Sequence, residues 1–352
     1  VAIKWPDGFK VICEFIAGSH LYGMATEESD IDIRGVFIPS RDYFYGLENV
    51  RDITDSESDT EYKEIRTFVS LAMNSNPNII EYLFVPYDLL RVNEVKWMKI
   101  AEHREHFVSQ KCKHTFYGYA RSQMKRIRTH RHWLLNPPKK KPERSDFGLP
   151  DLKMIPGDQI GAFNKLVSMY MRQTGKFHKL ADELEKMEEF HSYEDLISNL
   201  QNKDYNAIKT LIPVSDNFLE VLAKEQSYTQ ALHQWKQYQK WLKVRNPARA
   251  ALEAKYGYDT KHASHLFRLV YECYELIQTG KITFPRHDAA QLLEIRNGSL
   301  TYEEIEDRFE TFDFELSLLL KDKCVLPRSP NHKVINKLCV EICEEYLTGS
   351  SS

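Results

Sequence analysis

Eighteen residues, Gly18–Gly35 (GSHLYGMATEESDIDIRG), constrain this chain more than any other stretch. They begin where a short apolar run, Lys10–Ala17 (KVICEFIA), meets Gly18. They end inside Ile31–Ile38 (IDIRGVFI), which alternates apolar and polar residues up to Pro39. The first run, bounded by Gly8 and Gly18, reads as a buried strand, and the second reads as another. Asp30 and Asp32 stand two apart on that second strand, so their side chains project from one face. Two carboxylates on one face repel each other unless a cation sits between them. With oxygen ligands alone, that cation is expected to be Mg2+ (or Mn2+), which keeps positions open for phosphates. Gly18 lets the backbone approach a phosphate, a helix starting just after it would offer free N–H groups, and Ser19 adds a hydroxyl donor. A phosphate cradle beside metal-binding carboxylates is the equipment for transfer from a nucleoside triphosphate. Two ions about 3.5–4 Å apart would activate the attacking oxygen and stabilise the leaving pyrophosphate. A solvated surface turn is the competing explanation for a bare Asp-x-Asp. A Gly-Ser at a strand end, ten residues ahead of an apolar-flanked Asp-x-Asp, is far more specific.

The remaining periodicity predicts a mixed α/β N-terminal part and a mainly helical remainder. Asp59–Lys63 reads as a weaker third strand, and Glu64–Asn74 has apolar residues at helical spacing until Asn76-Pro77-Asn78 breaks it. Helices are expected over Tyr119–Leu135, Gln159–Phe190, Asp216–Leu242 and Thr260–Gln278, with no internal repeat. Asn136–Asp158 carries five prolines and reads as a linker or mobile loop. The expected domains are therefore residues 1–110 with the carboxylates, 111–158 with a basic helix and a Pro/Lys-rich loop, and 159–345 as a helical domain. A hydrophobic content of 42% is enough for a core. Six scattered cysteines without a Cys-x-x-Cys pair fit reduced thiols and a cytoplasmic location. No run approaches the roughly 18 apolar residues of a membrane span, and no secretory segment opens the chain, so no membrane partner is expected.

A formal net charge of −3 excludes a uniformly basic protein, but it conceals two opposed segments. Residues 27–64 hold twelve Asp/Glu against four Lys/Arg, and residues 111–144 hold eleven Lys/Arg against one Glu. Arg121, Lys125, Arg128 and His132 form one stripe on the predicted helix, flanked by Arg126 and Arg131 and followed by Lys139-Lys140-Lys141. Ala120, Met124, Ile127 and Leu134 form its apolar face. With no balancing acids nearby in sequence, Arg121, Lys125, Arg128 and Arg131 are the candidate RNA contacts. A second basic element follows Gly257, where Asp259 or Thr260 can cap a helix. Lys261, His265 and Arg268 share one face of it and His262 lies one residue off, so these four are candidates to hold β- and γ-phosphates. Lys-His-Ala-Ser-His is not a metal motif by itself, because His262 and His265 lack an obvious third ligand. His130-Arg131-His132 sits in a basic helix, where cation binding is disfavoured. His287-Asp288 lacks further ligands, Phe116, Tyr117 and Tyr119 suit core packing better than base stacking, and Glu81 has no assigned chemistry beyond a buttress.

Several blocks carry a resemblance to a known family: Gly18–Pro39, Asn76–Phe84 (NPNIIEYLF), Phe116–Ile127 (FYGYARSQMKRI) and Trp241–Leu269. Gly18-Ser19 with Asp30-Ile31-Asp32 resembles the signature of the DNA polymerase beta nucleotidyltransferase superfamily. Together the blocks resemble its RNA-repair-pathway family (RlaP-type, with YcgL-type relatives) over most of the chain. The resemblance implies an α+β fold, a minimal nucleotidyltransferase palm followed by a mainly helical C-terminal region. It also implies a third carboxylate that acts as general base and metal ligand. Asp59 and Glu61 are the candidates; Asp59 fits the family spacing better and Glu61 stays open. Where many relatives carry Arg after Gly-Ser, this chain has His20, charged only when its environment allows.

The expected activity is metal-dependent transfer of a nucleoside monophosphate from an NTP to an acceptor hydroxyl, foremost an RNA (tRNA) end in repair or modification. Asp30, Asp32 and Asp59 would hold two Mg2+ ions, and Gly18, Ser19 and His20 would sit at the nucleotide. The alternatives are a protein AMP-transferring regulator or toxin–antitoxin component, a small-molecule modifier, and a catalytically idle RNA-binding module. Oligomeric state is not readable from the sequence.

Overall fold

A computed structural model of the chain describes residues 5–27, 29–47, 52–55, 57–173, 215–245 and 247–349. They fall into two compact units, one made of residues 1–135 and 246–352, the other of residues 136–245. This grouping runs across the divisions expected at residues 110 and 158.

The first unit opens with a five-stranded sheet of order β3-β4-β2-β1-β5. The strands are β1 (Lys10–Ile16), β2 (Ile33–Ile38), β3 (Ile53–Asp55), β4 (Thr60–Glu64) and β5 (Leu90–Asn93). β1 runs antiparallel to β2 and β5, and β2 runs parallel to β4. This topology brings the C-terminal end of β1 and the N-terminal ends of β2 and β4 to the same end of the sheet. Three short helices, α1 (Gly18–Tyr22), α2 (Arg41–Tyr45) and α4 (Pro77–Ile80), and two longer ones, α3 (Ile65–Met73) and α5 (Val95–Glu102), are interspersed. The Glu64 carboxylate caps α3 by accepting from the Thr67 N–H at 3.0 Å, and Asn76 with Pro77 starts α4. The helix expected over Glu64–Asn74 is thus α3, and the strand expected over Ile31–Ile38 starts at Ile33, leaving Asp30 and Asp32 just ahead of it.

Helix α6 (Lys111–Leu135) is longer than its expected segment because Cys112 and Phe116 extend the stripe of Ala120, Met124 and Ile127, all buried. The chain returns to this unit with α9 (Pro247–Tyr256), α10 (Thr260–Thr279), α11 (Ala289–Arg296), α12 (Tyr302–Asp322) and α13 (His332–Leu347). Leu266, Leu269, Val270, Cys273 and Leu276 of α10 join Ile12, Phe15 and Val36 of the sheet in one hydrophobic core. The C-terminal helices therefore complete the same core that the sheet begins. Phe116 is fully buried and Tyr117 stacks on Phe309, which places both in that packing.

In the second unit, α7 (Gly157–Gln173) and α8 (Asp216–Val244) bury Ile155, Phe163, Leu219 and Leu222. Residues 174–190 of the helix expected over Gln159–Phe190 lie outside the described residues. The Pro-rich stretch is tied down: Arg144 grips Glu225 with a bond of 2.6 Å and one of 3.0 Å, and Glu225 also accepts from the Met154 N–H. A partner 81 residues away gives no local signal in the sequence. Among the described residues no helix is long and apolar enough to cross a membrane.

Candidate functional site

The strand ends that the topology gathers carry the acidic residues. The Ala17 N–H donates to the Asp32 carbonyl at 2.8 Å and the Ile33 N–H to the Asp59 carbonyl at 3.1 Å, so pairing continues one residue past the strands and sets Gly18, Asp32 and Asp59 side by side. Gly18 opens α1 with φ +64, and a Cβ there would run into the Asp32 carboxylate. Asp59 is itself in the left-handed region at φ +44, a conformation costly for most residues and tolerated best by Asp and Asn. Gly18, Ser19, Asp30, Asp32, Asp59 and Glu61 all line one cleft of about 510 Å³, together with Lys261, Ser264, His265 and Arg268 of α10.

Electrostatics tie these groups together. Burial, then a hydrogen bond with Asp59 and its charge, push the Asp32 carboxyl up to about 6, against Arg34 and Lys261. The hydrogen bond with Asp32, assisted by Arg34 and Lys261, holds Asp59 below the usual carboxylate range despite partial burial. Lys261 therefore faces both acids from α10. Arg34 Nη2 lies 2.9 Å from Asp59 Oδ1 and 3.9 Å from Asp32 Oδ1, and its Nε is 4.0 Å from Glu61. Arg34 stands two residues after Asp32, so strand alternation places it on the same face, a signal the sequence carried. Glu61 is held by Lys63 at 2.6 Å.

The donors at this cleft are carboxylate and hydroxyl oxygens, a set that fits a hard dication. Among the described residues these carboxylates do not bring three ligand atoms within 4.8 Å of one another. His130, Asp259 and His262 do, and they are the one such cluster there. The two-ion arrangement expected from the sequence has no direct counterpart in that single cluster.

A buried network forms part of the cleft wall. The Tyr22 hydroxyl donates to Glu81 at 2.7 Å, Arg268 donates to Glu81 and to Glu272 at 2.8 Å, and its guanidinium lies 4.3 Å from the Tyr22 ring centroid. Arg268, expected at the phosphates, is thus engaged by Glu81 and Glu272 and only 3% exposed. Glu81 is the buttress, and Glu272 was legible as the i+4 partner of Arg268. Burial pushes the Glu272 carboxyl up to about 8, with Arg268 opposing and Glu81 adding to the rise.

Burial and the positive charges around it, Arg268 foremost, push His265 down to about 2, so it faces the cleft as a neutral imidazole. His20 and His262 are not among the lining residues. His262 turns instead to Gln123 and Asp259, as its offset from the Lys261 stripe requires. On α6, Arg128 pairs with Glu306 at 3.0 Å, and Arg131 reaches Glu303, the Gly257 carbonyl and the Tyr302 ring. The acids that the local sequence lacked are supplied by α12. Lys125 and Arg126 are exposed and Arg121 half-buried.

Residues 1–136 match a family described as "RlaP: RNA repair pathway DNA polymerase beta family". An uncharacterized 38.9 kDa protein in the nrdC-mobD intergenic region of Enterobacteria phage T4 is 25% identical over 321 residues, 86% of this chain and 87% of its own. Uncharacterized protein YcgL of Bacillus subtilis (strain 168) is 28% identical over 85 residues, 23% of this chain and 33% of its own. No solved structure matches. The homology to the RlaP family is distant and falls on the part of the chain that carries the sheet and α6, whereas the similarity to the phage protein spans 86% of the chain.

Proposed function

We propose that this chain is a nucleotidyltransferase that transfers a nucleoside monophosphate from an NTP to an acceptor hydroxyl, foremost that of an RNA end, with release of pyrophosphate. The observation that carries this reading is the meeting of Gly18-Ser19, Asp30, Asp32 and Asp59 at one end of the sheet with Lys261 facing them. Asp30, Asp32 and Asp59 are the residues that would hold Mg2+ or Mn2+, as one ion or two. When bound, the metal supplies positive charge at the phosphates and lowers the pKa of the attacking hydroxyl.

The chain's own groups do the rest. The Gly18 backbone and the Ser19 hydroxyl hold the triphosphate, and Lys261 adds a fixed positive charge. The acceptor oxygen forms a bond to the α-phosphorus while the bond from that phosphorus to the bridging oxygen breaks. The bond's electrons leave with pyrophosphate, and the hydroxyl proton passes to the Asp59 carboxylate. Asp59 suits this task better than Glu61 because it stays ionised beside Arg34, while Glu61 is committed to Lys63. Arg268 positions the Tyr22 and Glu81 side of the cleft through its buried pairs. Lys125, Arg126 and Arg121 are the proposed RNA contacts on α6.

The test is incubation with each labelled NTP, Mg2+ or Mn2+ and total RNA, followed by sequencing of labelled ends. Label is expected in RNA, and Asp30→Asn and Asp32→Asn are each expected to lose on the order of 10²–10³ in rate or more. Label in protein would move the acceptor to a protein hydroxyl. Undiminished transfer by the double variant would sink the assignment.

A further inference from the structure

We propose that His130, Asp259 and His262 form a second metal site, for a zinc-class transition-metal dication, that clips the last turns of α6 to the start of α10. Each half of this site is unremarkable in sequence. The histidines belong to helices more than a hundred residues apart, and only the fold brings them together around one carboxylate.

Three observations carry the inference. His130 Nδ1 and His262 Nε2 each lie 3.5 Å from Asp259 Oδ2. A charge-assisted hydrogen bond closes to about 2.7–2.9 Å, so 3.5 Å is too long for one. It is close to the roughly 3.3–3.5 Å that separates two ligands sharing a tetrahedral zinc at about 2.0–2.1 Å. Next, His262 Nδ1 is 2.8 Å from Gln123 Oε1. An amide oxygen only accepts, so Nδ1 carries a hydrogen, and a neutral His262 then offers the Nε2 lone pair on the Asp259 side, the usual outer-shell arrangement of a metal-bound histidine. Finally, the Asp259 side chain is 1% exposed, and Oδ1 accepts the His262 N–H at 3.1 Å as the cap of α10, which fixes Oδ2 toward both imidazoles. Two imidazoles and one carboxylate favour zinc over Mg2+, and three protein ligands leave a fourth position for water.

The cluster is distinct from the cleft, since none of its three residues lines it, yet it anchors the turn that carries Lys261 and leads to His265. The proposal does not rest on nucleotidyl transfer.

The experiment uses the full chain, stripped of metal and titrated with Zn2+ by calorimetry and with Co2+ by visible absorption. One equivalent is expected, with the intense d–d bands of four-coordinate cobalt and a rise in thermal stability. His130→Gln and His262→Gln are expected to abolish both signals, while the Asp30→Asn/Asp32→Asn variant keeps them. Gln123→Leu is expected to keep the stoichiometry and weaken affinity by about 10–100-fold. Far-UV dichroism and melting of the metal-free variants establish that loss of binding is not loss of fold. Zinc binding that disappears in the Asp30/Asp32 variant but survives both histidine changes would overturn the proposal, as would a wild-type chain that binds no zinc.

Discussion

Gly18 and Asp59 show how much of the candidate site is decided by single backbone conformations. A side chain at Gly18 would be strained at φ +64 and would also displace the Asp32 carboxylate. Gly18→Ala is therefore expected to cost about 1–2 kcal/mol of stability, measured by urea unfolding, whereas Ser19→Ala should be close to neutral. The sequence marked Gly18 for close approach to a phosphate; the approach to Asp32 was illegible because it depends on pairing between β1 and β2. Asp59 and Glu61 stayed unresolved in the sequence for a similar reason. Strand alternation puts both on one face, while the φ of +44 and the closer Arg34 contact at Asp59, and the Lys63 contact at Glu61, distinguish them. Asn tolerates that conformation, so Asp59→Asn is expected to fold normally and lose transfer by about 10²-fold or more, while Glu61→Gln keeps most of it. Equal losses in labelled-NTP assays would leave the third carboxylate with Glu61 as well.

At the scale of elements, α10 does several jobs with different faces of one helix. Lys261 and His265 face the cleft, His262 faces α6, Arg268 lines the cleft from a nearly buried position, and Glu272 is fully buried behind it. Glu272 gives this helix a pH signature. Its carboxyl is pushed from an ordinary 4.5 up to about 8 in the folded chain. Between those values the folded chain keeps a proton that the unfolded chain has released. The contribution to stability is thus fully present below about pH 4.5 and is lost as pH rises to 8, at no more than about 1.4 kcal/mol per pH unit. Relative to Glu272→Gln, which cannot ionise, the wild type is expected to lose stability from pH 6 to pH 8 in urea unfolding; parallel curves would refute this. The helix itself was legible from its period and its Asp259 cap. The partners of its buried charges were less so, since Glu81 lies 187 residues from Arg268. The same distance effect misleads on α6, where the acids that answer Arg128 and Arg131 sit 178 and 172 residues away.

Across the whole chain, the net charge of −3 conceals an acidic segment over residues 27–64 and a basic one over residues 111–144. The structure narrows the basic part, because α12 neutralises its C-terminal arginines and leaves Arg121, Lys125 and Arg126. Reversing these three to Glu is expected to weaken RNA binding and to flatten its dependence on log salt by up to about 0.7 per lost phosphate contact. Glu at Arg128 and Arg131 should instead lower the melting temperature, because it places like charges against Glu306 and Glu303. Filter binding across a salt series, paired with melting curves, separates the two. Composition and motif spacing revealed the mixed α/β N-terminal part, the helical remainder and the acidic segment. They did not reveal that residues 1–135 and 246–352 form one unit, because that depends on which apolar faces meet, and Leu266 shows no more affinity in sequence for Phe15 than for any other core residue.

That interrupted unit also orders events in time. When Leu135 leaves the ribosome, the carboxylates at the sheet end already exist, but Lys261 lies 126 residues downstream. At about 5–20 residues per second, synthesis takes roughly 6–25 s to reach it. For that interval the nascent chain holds the acidic half of its cleft without the helix that answers it, and a truncated product ending anywhere in the inserted unit would keep the motif and lack the cleft.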